Sequence, residues 1–122
     1  MKALQDYNIK ELTEKVYDLI SVTVIQLQKK TKGADMAVLS KYLTKYIIKD
    51  KNFKRLTFNQ IEDAFEEGII SKAENIFVDI PTFYKWIRQH KKRIDEAEYK
   101  VRTLKENPKQ VPYYQEPIKL LK

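Results

Sequence analysis

The sequence has 122 residues, enough for one domain with a modest core, and its 43% hydrophobic and 34% charged residues with only two glycines suit helices better than turn-rich sandwiches. With no cysteine and a single histidine, His90, it excludes disulfide frameworks, thiolate zinc sites, iron–sulfur clusters and cysteine nucleophiles, and it weakens any histidine-based metal or triad chemistry. The net charge of +7 is unevenly placed: residues 81–107 hold eight Lys and Arg against four Asp and Glu, whereas residues 51–80 hold four against six. A basic surplus favours polyanionic partners through counterion release. Met1 to Tyr7 lacks an apolar signal-like region and no apolar run nears the length of a membrane span, so we expect a cytoplasmic protein with no membrane partner.

Taken in chain order, Asn8 with Glu11 forms a capping pair, and Ile9, Leu12, Val16, Leu19, Ile20, Thr23 and Leu27 recur at helical spacing, which predicts a first helix over residues 9–32. Val22, Val24 and Ile25 widen its apolar face, as suits a helix buried on more than one side, and Gly33 supplies a stop. Asp35 caps a predicted second helix over residues 36–49, with Val38, Leu39, Tyr42, Leu43, Tyr46 and Ile47 as its buried stripe and its lysines opposite. Thr57 and Gln60 read as a capping box and Leu56 and Ile61 as a hydrophobic staple, opening a third helix over residues 58–67 that Gly68 closes. That helix buries Phe58, Ile61, Ala64 and Phe65 and exposes Glu62, Asp63, Glu66 and Glu67.

Residues 69–79 fit a small β-hairpin or an ordered loop equally well, because Ile69-Ile70 and Ile76-Phe77-Val78 are β-prone pieces around a polar stretch. Asp79 as N-cap and Pro81 in the first turn start a last helix that Asn107-Pro108 ends, predicted over residues 80–106 and roughly 40 Å long. Phe83, Ile87, His90, Ile94, Ala97, Val101 and Leu104 form a heptad-like seam longer than a small core needs. The first helix, the tail or a second copy of the chain would have to cover it, so homo-oligomerisation through the last helix is one expectation, with helix one the favoured cover. The tail, residues 108–122, holds three prolines and reads as extended. The expected architecture is thus all-α: a four-helix single domain over residues 1–107, a long basic C-terminal helix, and the tail.

An enzyme of this size should show paired acids in a cleft, a phosphate loop, a metal cluster or a nucleophile with its base. None is recognisable, Gly33 and Gly68 stand alone, and the carboxylates of the third helix wrap around a face that reads as solvated. We therefore expect no catalytic residues, no metal site and no cofactor. The candidate site is instead the run of residues 85–93, which contains Lys85, Arg88, Lys91, Lys92 and Arg93 and no acid, with Tyr84, Gln89 and Thr82 adding donors and a stacking surface. Tyr84, Lys85, Arg88, Gln89, Lys91, Lys92 and Arg93 form the expected binding set for nucleic acid or another partner. The alternative is a solvated face balanced by the acidic third helix. His90 on the seam reads as a satisfied interface histidine, and Phe83 and Trp86 read as core.

The stretch Leu56-Thr57-Phe58-Asn59-Gln60-Ile61-Glu62-Asp63-Ala64-Phe65-Glu66-Glu67-Gly68-Ile69, followed by Ile80-Pro81-Thr82-Phe83-Tyr84-Lys85-Trp86-Ile87, resembles small uncharacterised proteins of phages and mobile elements of the Bacteroidota, often linked to replication regions. In those, a leucine-threonine, isoleucine, alanine-phenylalanine, glycine helix is followed by a threonine-phenylalanine, tryptophan-isoleucine helix. The resemblance covers about residues 36–94 and departs at Ser71-Lys72-Ala73-Glu74-Asn75, where glycine and tyrosine are usual. The Thr-Phe-Tyr-Lys-Trp-Ile run also looks like the second helix of a helix-turn-helix, but eleven residues between the helices far exceed that motif's short turn. The resemblance implies a phage or mobile-element accessory protein in the host-cell cytoplasm, non-catalytic, binding nucleic acid or a nucleoprotein in a replication or regulatory setting. The rival expectation is a small protein inhibitor of a host defence nuclease, an anti-CRISPR-like antagonist.

Overall fold

Side-chain caps set where three of the four helices begin. In the computed structural model, which describes residues 2–71 and 76–114, α1 spans Ile9–Gln26 and starts where the Asn8 side chain accepts the Glu11 N–H at 2.7 Å. α3 spans Phe58–Ile70 behind a complete capping box: Thr57 Oγ1 accepts the Gln60 N–H at 3.2 Å and Gln60 Oε1 accepts the Thr57 N–H at 2.9 Å. Leu56 and Ile61 are both buried beside it, as a staple requires. α4 spans Ile80–Arg102, with the Thr82 N–H donating to the Asp79 carboxylate at 2.9 Å and Pro81 in the first turn. α2 spans Gly33–Lys49 and differs from expectation: its N-cap is Lys32, which makes no side-chain cap, and Asp35 lies inside the first turn, near the positive end of the helix dipole.

Both glycines play other roles than helix stops. α1 ends at Gln26, well before residue 32, because Gln28 takes a left-handed conformation with φ of 56°. The Gln28 N–H then donates to the Ile25 carbonyl and the Lys29 N–H to the Val24 carbonyl, each at 3.1 Å, a Schellman closure built on glutamine, while Gly33 opens α2. Gly68 sits within α3, which continues to Ile70, and its missing side chain receives the Trp86 indole. No hairpin forms over the described part of residues 69–79: Ile69 and Ile70 complete α3, and residues 76–78 pair with no strand. Among the described residues the structure is all-α, with one isolated antiparallel bridge between Ala3 and Thr57.

The core joins Leu12, Val16 and Ile20 of α1, Leu43 and Ile47 of α2, Ile61 and Phe65 of α3, and Phe83 and Ile87 of α4. α1 packs chiefly on α2 and α3 on α4, with α2 also meeting α4. At the α3–α4 contact Phe65 stacks on Phe83 at 5.0 Å and meets Trp86 edge-on at 5.4 Å, placing Phe83 and Trp86 in the core as expected. The N-terminal segment belongs to the core as well: Ala3 and Leu4 are buried, and the Leu4 N–H donates to the Leu56 carbonyl at 2.7 Å.

Two helix faces differ from their periodicity. Of the residues expected to widen the α1 face, Val24 is buried, while Val22 and Ile25 are exposed, α1 packing on α2 and α3. α2 is rotated so that Ser40, Leu43, Thr44 and Ile47 face inward while Val38, Tyr42 and Tyr46 of the predicted stripe face out, among the lysines instead of opposite them. Small hydroxylated side chains at Ser40 and Thr44 allow a close approach between helices that tyrosines at Tyr42 and Tyr46 would prevent. Ser40 Oγ satisfies itself by donating to the Met36 carbonyl at 2.7 Å.

α4, about 35 Å long by its residue count, stops a turn early at Arg102. The Leu104 and Glu106 N–H groups cap the Tyr99 and Lys100 carbonyls, and Lys105, with φ of 60°, helps to turn the chain. Residues 108–114 are not extended: Pro108–Gln110 forms a 3-10 turn, Val111 is buried, and the Tyr113 ring meets His90 edge-on at 5.8 Å. The returning tail reaches the seam at His90 through the Tyr113 ring, while Ile94 belongs to the main core cluster, Ala97 is buried, and Leu104 at the end of the seam remains exposed. The apolar run at residues 118–121 lies outside the described residues.

Candidate nucleic-acid interface

α4 buries Phe83, Trp86, Ile87, His90, Ile94 and Ala97, and this inward arc decides where every other side chain on the helix can point. Lys85, Arg88 and Lys92, spaced by three and four residues, fall on one outward stripe and are all exposed. Among the described residues no carboxylate lies within ion-pair distance of any of the three.

The other members of the predicted set divide. Lys91 is drawn to Asp95 one turn on, and Arg93 donates to Glu67 of α3, so both cations are already partnered. Gln89 is exposed and lines a shallow groove with Thr82, Trp86 and Phe77. Tyr84 is not a free donor, because its hydroxyl donates to the Asp50 carboxylate at the C-terminal end of α2. Burial first, and then the Asp50 hydrogen bond and charge, push the Tyr84 phenol up to about 12 from 10.0. Its ring packs on Phe53 at 5.4 Å and carries the Arg88 guanidinium 6.0 Å above it, so Tyr84 positions Arg88 instead of binding independently.

Glu67 also departs from expectation, since it is half-buried and not part of a solvated acidic face. One of its oxygens accepts from Arg93 and the other lies 2.9 Å from His90 Nδ1. His90 is buried and only half satisfied, as its Nε2 has no partner among the described residues. Arg93 and His90 both flank the Tyr113 ring, which ties the returning tail to α3 through α4. Glu62, Asp63 and Glu66 remain exposed and do not neutralise α4.

A basic and aromatic surface on α2 escaped the sequence reading. Tyr46 and Lys49 of α2 line a groove with Tyr84 and Arg88 of α4, so the outward faces of the two helices run together. Ser40 and Thr44, four residues apart, were the available signal for which side of α2 is buried. The groove between α1 and α3 is different in kind, since it mixes Lys2 and Lys15 with Asp18, Glu62 and Glu66. Among the described residues no three acidic or histidine side chains converge as metal ligands, and no helix is long and apolar enough to cross a membrane. No family model, curated protein or solved structure matches the chain.

Proposed function

We propose that this chain is a non-catalytic nucleic-acid-binding protein that holds the phosphate backbone along α4. Lys85, Arg88 and Lys92 are the primary contacts, with Lys91, Arg93 and Gln89 at the rim and Tyr84 orienting Arg88. The observation that carries this reading is the stripe of three exposed cations with no carboxylate partner among the described residues, on a helix whose opposite face is packed into the core. A rigid row of unpaired cations releases counterions from a polyanion without first breaking internal ion pairs. Phosphate contacts of this kind position a protein without reading sequence. Such a binder serves as a cytoplasmic accessory of a phage or mobile element in replication or regulation, and it needs no metal or cofactor.

Titrating mixed-sequence DNA and RNA over a salt series tests the reading. The affinity should fall steeply with salt, with a log–log slope of roughly three for three duplex phosphate contacts. Lys92→Ala should lower that slope by about one unit and leave sequence preference unchanged. A salt-independent affinity would remove the phosphate contacts. Negligible binding to bare nucleic acid, with the same stripe required for association with a nuclease, would instead favour the inhibitor reading.

A further inference from the structure

We propose that the outward face of α2 is a stacking platform for single-stranded nucleic acid, with Tyr42 and Tyr46 receiving bases and Lys41, Lys45 and Lys49 receiving the adjoining phosphates. The inference rests on the α4 reading and narrows its ligand from nucleic acid in general to unpaired strands.

α2 settles its core face with Ser40, Leu43, Thr44 and Ile47 against the rest of the bundle, so the two tyrosines contribute nothing to the core. Tyr42 is 39% and Tyr46 43% exposed. Their rings lie one helical turn apart, 6.5 Å between centroids and tilted by 33°. The Lys41 and Lys45 ammonium groups stand 5.9 and 6.0 Å from the Tyr42 centroid. A base settling on that ring would displace them onto the neighbouring phosphate, with no loss of charge pairing. Between Asp35 and Asp50 the helix carries these three lysines and no acid, so the platform is positive along its length. Lys49 and Tyr46 also border the groove that contains Arg88 and the Asp50 carboxylate held by Tyr84, so the platform meets the α4 stripe at Arg88.

Aromatic faces beside cations select single strands, because in a duplex each base already stacks on its neighbours and offers only its edge.

The test measures fluorescence anisotropy of a labelled oligothymidylate and of a mixed-sequence duplex against the full chain, with circular dichroism confirming the fold of each variant. Single strands should bind more tightly than duplex. Tyr42→Ala and Tyr46→Ala should each weaken single-strand binding by about 5- to 150-fold and leave duplex binding unchanged. Tyr42→Phe and Tyr46→Phe should restore it, since they keep the ring. Equal affinity for the two ligands, or tyrosine variants without effect, overturns the platform and leaves the α4 stripe standing if Lys85→Glu still abolishes binding. Single-strand binding that depends on the tyrosines but not on Lys85, Arg88 or Lys92 supports the platform and overturns the α4 reading. No binding of either ligand overturns both.

Discussion

Gly68 is buried in the interior of α3, where an ideal Cβ would stand 2.1 Å from the Trp86 ring. In an exposed helix, glycine to alanine gains about 1 kcal/mol. Here the clash dominates, because the atoms met are the fused centre of a rigid indole, and overpacking of this kind costs about 1–3 kcal/mol. Gly68→Ala should therefore lower the urea midpoint, and a gain in stability would show that Trp86 does not rely on the notch. Gln28 should behave in the opposite way: Gln28→Gly relieves a left-handed residue and should stabilise by up to about 1 kcal/mol. Neither role could be read from position alone. A glycine after an amphipathic run looks like a stop whether or not a tryptophan from the next helix needs the space, and a glutamine carries no sign of a left-handed φ. Tyr84 gives a pH-dependent signature. Its proton is held more tightly in the folded chain, so the stabilisation it contributes is fully present below pH 10 and is lost as pH rises towards about 12. The stability difference between the wild-type protein and Tyr84→Phe should shrink across that window in denaturant titrations, and a constant difference would mean that burial and the Asp50 hydrogen bond together do not hold the Tyr84 proton.

At the scale of helices, legibility follows how local the cause is. The caps at Asn8, Thr57 and Asp79 and the Leu56–Ile61 staple involve residues within five positions of one another, and each forms as its spacing suggests. The buried face of α2 is not legible from apolar spacing, because tyrosine is amphipathic and its spacing at Tyr42 and Tyr46 mimics a core stripe that Ser40 and Thr44 occupy. The seam on α4 is legible as apolar, but the docking of Tyr113 on His90 is not, since that depends on the chain reversing after Arg102. The docked tail should be separable experimentally. Truncation after Asn107 removes Val111 and Tyr113, so amides around His90 and Arg93 should exchange faster and the melting temperature should fall. Sedimentation of the full chain should give a monomer, with concentration-dependent association appearing only on truncation. Unchanged exchange and a monomer in both forms would mean that the tail does not dock on α4 at His90.

Across the whole molecule, what matters is which charges remain available after folding. The sequence alone permits the acidic third helix to neutralise the basic fourth. In the fold Glu67 of α3 reaches across to α4, taking Arg93 and His90, while Lys85, Arg88 and Lys92 have no carboxylate within ion-pair distance among the described residues, and Arg88 shares a groove with Tyr46 and Lys49 of α2. The basic cluster was therefore legible as a candidate, and its division into paired and unpaired members required the α3–α4 packing. The central claim is that these three cations bind a phosphate backbone. Its most direct test is charge reversal of all three, Lys85→Glu with Arg88→Glu and Lys92→Glu, which touches no buried side chain and should leave the circular dichroism spectrum intact. Binding to single-stranded and duplex nucleic acid at low salt should be lost, together with its salt dependence. A folded triple variant that binds with unchanged affinity and slope would contradict the account.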